Sequence, residues 1–187
     1  MITGVVLAAG EGRRFGGTKQ LVEVRGRALV LHAVEALREA GIAEVIVVTG
    51  HDAGAVEVAL PDDVRTVRND RYREGQSTSL AAALHVIAEG SEGAVILQAD
   101  QPGVTAQDVR DLVTTFTATR ARIVRIRYLD APGPALLSRE VFAEAGHLHG
   151  DVGARVLMAS HPDWVEDVAV DRSAPIDVDV PGDLDQV

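Results

Sequence analysis

The residues with the clearest chemical potential lie in a glycine-rich segment, residues 7–21, which reads Leu-Ala-Ala-Gly-Glu-Gly-Arg-Arg-Phe-Gly-Gly-Thr-Lys-Gln-Leu. Glycine lets backbone N–H groups approach phosphate oxygens, and Arg14 and Lys19 would add positive charge there. Lys19 is the only lysine among the 18 Lys and Arg residues of the chain, which favours a specific use for its compact ammonium. The segment therefore predicts a nucleotide phosphate site. The alternative is that Lys19 stands on a surface loop by chance.

Two acidic stretches could supply oxygen ligands for a metal. Asp100 directly follows an apolar run, and Asp177 and Asp179 alternate with apolar residues over 176–180. A carboxylate oxygen combined with nucleotide phosphate oxygens suits Mg²⁺. We expect residues 176–180 to form a strand, on which the two acids would point to opposite faces, so that one of them could share a metal with Asp100. For Asp100 the alternative is a helix or turn cap.

Other nucleotide-binding motifs fit the glycine-rich segment less well. Gly10, Gly12 and Gly16 partly match a dinucleotide fingerprint, but Phe15 stands where that fingerprint needs its third Gly or Ala. No helix is expected to follow at once, and a Walker loop is excluded because the chain has no Gly-Lys-Ser or Gly-Lys-Thr. An oxidoreductase that binds NAD(P) or a flavin is therefore the weaker alternative.

The composition of the 187 residues narrows the function classes. A 47% apolar and 25% charged chain of this length predicts one globular domain spanning residues 1–187. A formal charge of −10 and an aromatic content of 3% argue against nucleic-acid and membrane partners. The absence of cysteine excludes disulfides and thiolate chemistry, and without a basic leader or a long apolar stretch we expect a cytoplasmic protein.

Hydrophobic patterns predict strands that alternate with helices. The expected strands are 2–8, 45–48, 64–67, 94–97, 123–128, 134–137, 165–170 and 176–180. The expected helices are 28–40, 53–60, 77–88, a helix that begins at Thr105, 139–145 and 152–159. This alternation favours an α/β fold with a mainly parallel sheet. Ligands of such sheets bind beyond the carboxyl ends of the strands, where the glycine-rich segment and Asp100 should meet.

Five stretches of the sequence together resemble the nucleotidyltransferases of molybdenum-cofactor enzymes, specifically the molybdopterin cytidylyltransferases and their guanylyl relatives. The similarity spans nearly the whole chain. The first stretch matches the family pattern Leu-Ala-Ala-Gly-x-Gly-x-Arg-Met-Gly-x-x-Lys, with Phe15 in place of Met. The others are Asn69 with Gly75–Leu80, Asp100-Gln101-Pro102, Gly150–Arg155 and Asp177–Pro181.

The resemblance implies a single three-layer Rossmann-like nucleotidyltransferase domain. Such an enzyme uses Mg²⁺, or Mn²⁺, to transfer a nucleoside monophosphate from a triphosphate to the phosphate of molybdopterin, with release of pyrophosphate. The implied catalytic residues are Arg14, Lys19 and Asp100, and the implied metal ligands are Asp100 and Asp177. The implied nucleotide-binding residues are Leu7, Ala8, Ala9, Gly10, Gly12, Arg14, Lys19, Asn69, Gly75, Ser77, Ser79 and Leu80.

The resemblance also suggests which substrates are used. The guanylyl branch usually has Gly at the position of Ala9, so Ala9 favours CTP over GTP. Gly133, Asp151 and Arg155 would contact the acceptor, although the chain lacks the His-Pro that many relatives carry before the strand at 134–137. A molybdoenzyme or its maturation factor would be the protein partner.

Two alternatives remain open. Ser77 could cap the helix that follows it rather than contact the base, since Ser is strongly preferred at helix N-termini. The whole chain could instead be a nucleotide-binding delivery protein without turnover, because binding and catalysis would use the same residues.

Overall fold

The computed structural model describes residues 1–150 and 152–187 of the chain. Nine strands are described: β1 Ile2–Leu7, β2 Glu23–Val24, β3 Arg27–Ala28, β4 Glu44–Thr49, β5 Arg65–Arg68, β6 Gly93–Gln98, β7 Ile123–Arg127, β8 Pro132–Ser138 and β9 Val165–Ala169. The six α-helices described are α1 Leu29–Glu39, α2 Ala53–Ala59, α3 Gln76–Val86, α4 Ala106–Thr119, α5 Phe142–Gly146 and α6 Ala154–Ser160.

Seven of these strands form one sheet in the order β5-β4-β1-β6-β8-β7-β9. The four strands from β5 to β6 are parallel, β8 is antiparallel to both of its neighbours, and β9 is parallel to β7. The continuous apolar sequences of β1, β4 and β6 suit strands covered on both faces, and parallel neighbours require helical crossovers. The predicted α/β fold with a mainly parallel sheet is confirmed.

Two apolar clusters, one on each face of the sheet, form the core. On one face α1 and α4 pack over side chains such as Val6 and Val47. On the other face α3, α5 and α6 pack over the alternate residues, such as Val5 and Ile46. Adjacent strand residues thus point into opposite layers, as a pleated strand requires. The result is three layers, helix on sheet on helix.

The predicted strand at 176–180 is wrong. These residues form no ladder: Val178 donates one backbone hydrogen bond, 2.8 Å long, to the carbonyl of Asp100, which itself lies just beyond β6. Val178 is fully buried against Val24 and Leu29. The segment is therefore held by a buried side chain and by isolated hydrogen bonds rather than by a ladder, and its alternating pattern arises without a partner strand.

The region from β7 to α6 deviates from the sequence expectations mainly in element bounds. The strand expected at 134–137 extends over Pro132–Ser138, and the helix expected at 139–145 is a 3₁₀ turn followed by the short α5. Among residues 1–150 and 152–187, every helix is too short or too polar to span a bilayer.

Candidate functional site

A crevice of about 520 Å³ opens at the carboxyl ends of β1 and β6. One wall is the loop after β1, the other is the segment before α3, and the end of β6 forms the floor. Nine predicted site residues line it: Leu7, Ala9, Gly10, Gly12, Arg14, Lys19, Gly75, Ser79 and Asp100. The chemistry-bearing segments thus meet where an open parallel sheet is expected to bind ligands.

The glycine-rich loop depends on Gly12 for its shape. Gly12 has φ +60°, and a Cβ there would lie 2.5 Å from the carbonyl oxygen of Gly17. The Gly12 carbonyl accepts hydrogen bonds from the backbone N–H groups of Phe15 and Gly16, at 2.9 and 3.0 Å. A side chain at this position would therefore both strain the backbone and open the loop.

Gln20 anchors the start of this loop, a role that the sequence did not indicate. Its side chain is buried, and Nε2 donates to the carbonyl oxygens of Ala8 at 3.0 Å and Gly10 at 2.7 Å. Glutamine in a polar loop is usually exposed, so no pattern distinguishes this residue. Ala8 itself is buried and contributes its carbonyl to this anchor rather than a surface of the crevice.

Lys19 is surrounded by oxygen atoms. Its Nζ donates to Asp100 Oδ2 at 2.8 Å, to Asp179 Oδ1 at 3.1 Å and to the carbonyl of Val178 at 3.2 Å. Burial alone would lower the pKa of Lys19, but the carboxylates of Asp100 and Asp179 outweigh it and raise the pKa above its usual value. The ammonium therefore stays charged in a largely enclosed site, where its side chain is 12% exposed.

Asp177 and Asp179 differ in their surroundings. Asp179 lines the crevice and contacts both Lys19 and Arg14, whose Nη1 lies 3.2 Å from Asp179 Oδ2. Asp177 accepts a hydrogen bond of 2.7 Å from Gln101. Burial raises the pKa of Asp177, and the charges of Asp100 and Asp179 raise it further against the lowering effect of Gln101. Asp177 thus lies near enough to Asp100 and Asp179 to feel their charges, but it neither contacts the ammonium nor lines the crevice.

The oxygen-rich surroundings of Lys19 suit a hard divalent cation. The donors already gathered around one positive charge are carboxylate and carbonyl oxygens, the atoms that Mg²⁺ and Mn²⁺ prefer. In the described part of the chain, no three His, Asp or Glu side chains form a group that could hold a metal alone. Substrate phosphates and water would have to complete the coordination, as is usual for Mg²⁺.

Asn69 organises the second wall from within. It is buried, and its Nδ2 donates to Thr78 Oγ1 and to Ser79 Oγ, both at 2.9 Å. Its Oδ1 accepts from the backbone N–H of Arg71 at 3.0 Å. Asn69 therefore fixes the start of α3 relative to β5, so that Ser79 faces the crevice while Asn69 does not line it.

Ser77 and Leu80 lie behind this wall rather than in it. The helix N-cap is Gly75, so the interpretation of Ser77 as the cap is wrong. Ser77 is fully buried and its hydroxyl donates to the carbonyl of Gly150 at 2.8 Å, because the turn before α6 packs on the start of α3. Leu80 is fully buried in the core.

The predicted acceptor residues are not brought together in the crevice. A Cβ on Gly133 would lie 2.5 Å from the ring of Tyr128, so this glycine allows close packing within the sheet. Arg155 is an exposed residue of α6. Asp151 lies outside the residues that the structure describes. Gly133 and Arg155 are both absent from the lining of the crevice.

An ionic contact joins the two walls at the solvent-exposed rim. Arg73, which precedes α3, places Nε 2.6 Å from Oε1 of Glu11 in the glycine-rich loop, and Arg13 bonds the other carboxylate oxygen. We call Glu11, Arg13 and Arg73 the rim cluster. All three residues line the crevice. Sequence reasoning missed the cluster because Glu11 and Arg73 are 62 residues apart and no local pattern links them.

The comparison with protein families matches residues 4–165 to the MobA-like NTP transferase domain. The chain belongs to this family. Membership supports nucleotidyl transfer as the activity, with a nucleoside triphosphate as substrate, and so agrees with the glycine-rich loop, Lys19 and Asp100 at the crevice. Neither the acceptor nor the base follows from this match.

Similar proteins include three that bear on the site. Nicotine blue oxidoreductase of Paenarthrobacter nicotinovorans is 33% identical and aligns with 95% of this chain and 92% of its own. The structure of Mycobacterium tuberculosis H37Rv Rv0371c in complex with manganese is 34% identical, with a TM-score of 0.85 and coverage of 99% and 96%. A nucleotidyl transferase of Methanothermobacter (Mth528) is 27% identical, with a TM-score of 0.78 and coverage of 92% and 88%.

These similarities confirm the predicted three-layer nucleotidyltransferase fold. They also associate the fold with a divalent metal, because a relative that covers nearly the whole chain was crystallised with manganese.

Proposed function

We propose that the protein transfers a nucleoside monophosphate, CMP in the first instance, from its triphosphate to the phosphate of a molybdopterin cofactor. The observation that carries this proposal is the Lys19 ammonium, enclosed by oxygens of Asp100, Val178 and Asp179 beside the glycine-rich loop. That arrangement combines a fixed positive charge, free carboxylate oxygens and exposed backbone in one crevice, which is what phosphoryl chemistry requires.

In the proposed reaction, an oxygen of the acceptor phosphate attacks the α-phosphorus of the triphosphate. A new P–O bond forms as the bond between the α-phosphorus and the β-phosphate oxygen breaks, and pyrophosphate leaves with the electron pair. No covalent intermediate with the protein is needed. The work of the protein is to position the two phosphates in line and to neutralise their charge.

Lys19 and Arg14 would bind the triphosphate, Lys19 from the enclosed end of the crevice and Arg14 from its exposed side. Asp100 and Asp177 would hold Mg²⁺ or Mn²⁺, which when bound supplies further neutralisation of phosphate charge. Asp177 suits this role because its main contact is the Gln101 amide, whereas Asp179 already orients Lys19 and Arg14.

The preference for CTP rests on Ala9. Its side chain is buried next to Gly50, where a Cβ would lie 2.8 Å from the Ala9 Cβ and 3.0 Å from that of Tyr72. The Ala9 methyl therefore fills space at the base of the crevice that a glycine would leave open. A smaller space favours a pyrimidine over a purine.

A second candidate, an oxidoreductase, is favoured by the name of one similar protein, nicotine blue oxidoreductase. Dinucleotide sites of oxidoreductases place pyrophosphate at the N-terminus of a helix that directly follows the first strand. Here β1 is followed by an irregular loop and then by the one-turn 3₁₀ segment Lys19–Leu21. This loop suits a triphosphate held by side chains better than a dinucleotide held by a helix.

The decisive test is turnover with α-labelled CTP, GTP, ATP and UTP, each with Mg²⁺ and a molybdopterin-bearing extract or purified molybdopterin. We expect pyrophosphate release and a labelled dinucleotide with CTP, both abolished by EDTA. Oxidation of NADH without pyrophosphate from any triphosphate would support the oxidoreductase instead. Mg²⁺-dependent binding of a triphosphate without turnover would instead support a delivery protein. Its binding to a molybdoenzyme or to a maturation factor would then be measured.

A further inference from the structure

The rim cluster holds two guanidinium groups on one carboxylate. Arg73 Nε is 2.6 Å from Glu11 Oε1, and Arg13 bonds Glu11 Oε2. The two hydrogen bonds, that of Arg73 first, hold the pKa of Glu11 below its usual value, so the carboxylate is charged. Within the rim cluster one negative charge faces two positive charges, and the nearby carboxylate of Glu74, which also lines the crevice, is paired with Arg71.

The cluster is accessible and its ion pairs can be exchanged. The side chains of Arg13 and Arg73 are 79% and 69% exposed, whereas that of Glu11 is 16% exposed. Ion pairs in contact with water add little stability, because the solvent competes with them and long side chains lose entropy when they are fixed. A dianion that enters the crevice can therefore replace Glu11 as the partner of both arginines.

Arg73 is already oriented for such a ligand. Its Cζ lies 5.5 Å from the ring centroid of Tyr72, which also lines the crevice. The ring on one side and Glu11 on the other limit the conformations of the guanidinium. An oriented, planar guanidinium can donate two parallel hydrogen bonds to a phosphate, which an ammonium cannot do.

The other two cations that line the crevice are engaged elsewhere. Lys19 and Arg14 pair with Asp100 and Asp179, and they are the groups assigned to the triphosphate. A transfer reaction brings a second anion, the phosphate of the acceptor, into the same crevice. Gly133 and Arg155, predicted to contact the acceptor, do not line it. The rim cluster is thus the remaining cationic group that faces the space where the second anion must bind.

We infer that Arg13 and Arg73 form a second anion subsite that binds a phosphate monoester. Glu11 is the resident counter-ion, which the phosphate displaces. The inference rests on the proposed function in one respect, that the monoester is the acceptor's phosphate. The binding of a phosphate dianion at the rim cluster does not itself require nucleotidyl transfer.

The test is calorimetric titration of inorganic phosphate into the full chain saturated with Mg²⁺ and an α,β-methylene triphosphate, which occupies the donor site without reacting. We expect Arg73→Gln to weaken phosphate binding at least about tenfold, the effect of losing a charge-assisted hydrogen bond, and to change affinity for the analogue less than twofold. The matched control is Arg68→Gln. Arg68 is 66% exposed and pairs with Asp70, and neither residue lines the crevice.

A second variant tests the role of Glu11. Glu11→Gln removes the competing negative charge while keeping the shape of the side chain, and we expect phosphate to bind a few-fold more tightly. Weaker binding to this variant would overturn the role of Glu11 as a displaced counter-ion.

The remaining outcomes separate the subsite from the proposed function. If the wild-type chain binds no phosphate at tens of millimolar, or if Arg73→Gln and Arg68→Gln have the same affinity for phosphate, the subsite is refuted. If the bound analogue abolishes phosphate binding, the rim cluster belongs to the triphosphate and the inference is also refuted. If the chain binds no triphosphate analogue but still binds phosphate through Arg73, the subsite stands and nucleotidyl transfer fails.

Discussion

Ionic contacts at two places hold the C-terminal segment, residues 171–187, to the rest of the molecule, and they differ in how many donors reach each carboxylate. At the crevice, Lys19 bonds Asp179 of that segment and Asp100 at the end of β6. Away from the crevice, Arg172 of the same segment bonds Asp108 in the first turn of α4. Asp100 is 26% exposed and Asp108 only 3%.

Three hydrogen bonds converge on one oxygen of Asp108, Oδ2. Besides Arg172, Asp108 Oδ2 accepts hydrogen bonds from the backbone N–H and the hydroxyl of Thr105, which completes the capping box of α4. Arg172 also lies over the ring of Tyr128, 4.8 Å from its centroid, and burial raises the pKa of that phenol. No part of this carboxylate faces a crevice, so its contribution is to stability.

The contact at Asp100 is incomplete by comparison. Its hydrogen-bond partner is Lys19, and it faces an open crevice together with a second charged carboxylate. Lys19 supplies one cation to two carboxylates, and the open crevice leaves room beside them for a second cation. The comparison teaches that a carboxylate part-exposed at a crevice with one donor suits chemistry, whereas a buried carboxylate with several donors contributes to stability.

The largest effect expected is on turnover, at the contact between Asp100 and Lys19. Asp100→Asn removes the charge at the floor of the crevice, and we expect Mg²⁺-dependent pyrophosphate release to fall about 10³-fold. The free energy of unfolding should fall by about 1 kcal/mol, because Asp100 is part-buried and Lys19 keeps Asp179 and the Val178 carbonyl as partners. Turnover is measured at saturating triphosphate and stability by urea denaturation. Turnover within threefold of the wild type would contradict the assignment.

Two matched variants sharpen this result. Asp177→Asn should raise the Mg²⁺ concentration required for half-maximal turnover about tenfold, as expected for a metal ligand. Asp179→Asn should lower turnover while leaving the Mg²⁺ requirement nearly unchanged, because Asp179 orients Lys19 and Arg14. The reverse pattern would exchange the roles of the two residues.

The next effect is on stability, at the contact between Asp108 and Arg172. Asp108→Ala removes the acidic half of the capping box of α4 and leaves Arg172 without its buried partner, at a cost of about 2–3 kcal/mol. The melting temperature should fall by about 5–10 °C for a domain of this size, while turnover below the transition stays near that of the wild type. Asp111→Ala in the same helix, which loses one exposed hydrogen bond from Gln107, is the control and should melt within about 2 °C of the wild type. Equal melting temperatures for the two variants would contradict the comparison.

The parts of the site that sequence predicted are those set by local order along the chain. A buried strand followed by glycines places Lys19 beyond β1, and an apolar run that ends in Asp100 places that acid beyond β6. Because the two strands are parallel neighbours, both residues reach the same edge. The local sequence pattern and the general rule for parallel sheets were therefore sufficient to predict which residues lie at the centre of the crevice.

The parts that sequence missed depend on contacts between distant segments. Gln20 turns inward because the carbonyls of Ala8 and Gly10 need a donor, and Arg73 meets Glu11 only after α3 has folded against β1. The error at 176–180 has a related cause. Ile176, Val178 and Val180 alternate with acids as in a strand, but of these three only Val178 is buried, and no ladder forms.

The most direct test of the central claim is thermal melting with CTP, GTP, ATP, UTP and NADH in turn, each with and without Mg²⁺. A ligand at about 100 times its dissociation constant adds about 2.7 kcal/mol, or about 5–10 °C for a domain of this size. We predict such a rise with CTP only when Mg²⁺ is present, and little or none with NADH. A rise with NADH that does not depend on Mg²⁺, with none for any triphosphate, would contradict the account of the crevice as a nucleotidyltransferase site.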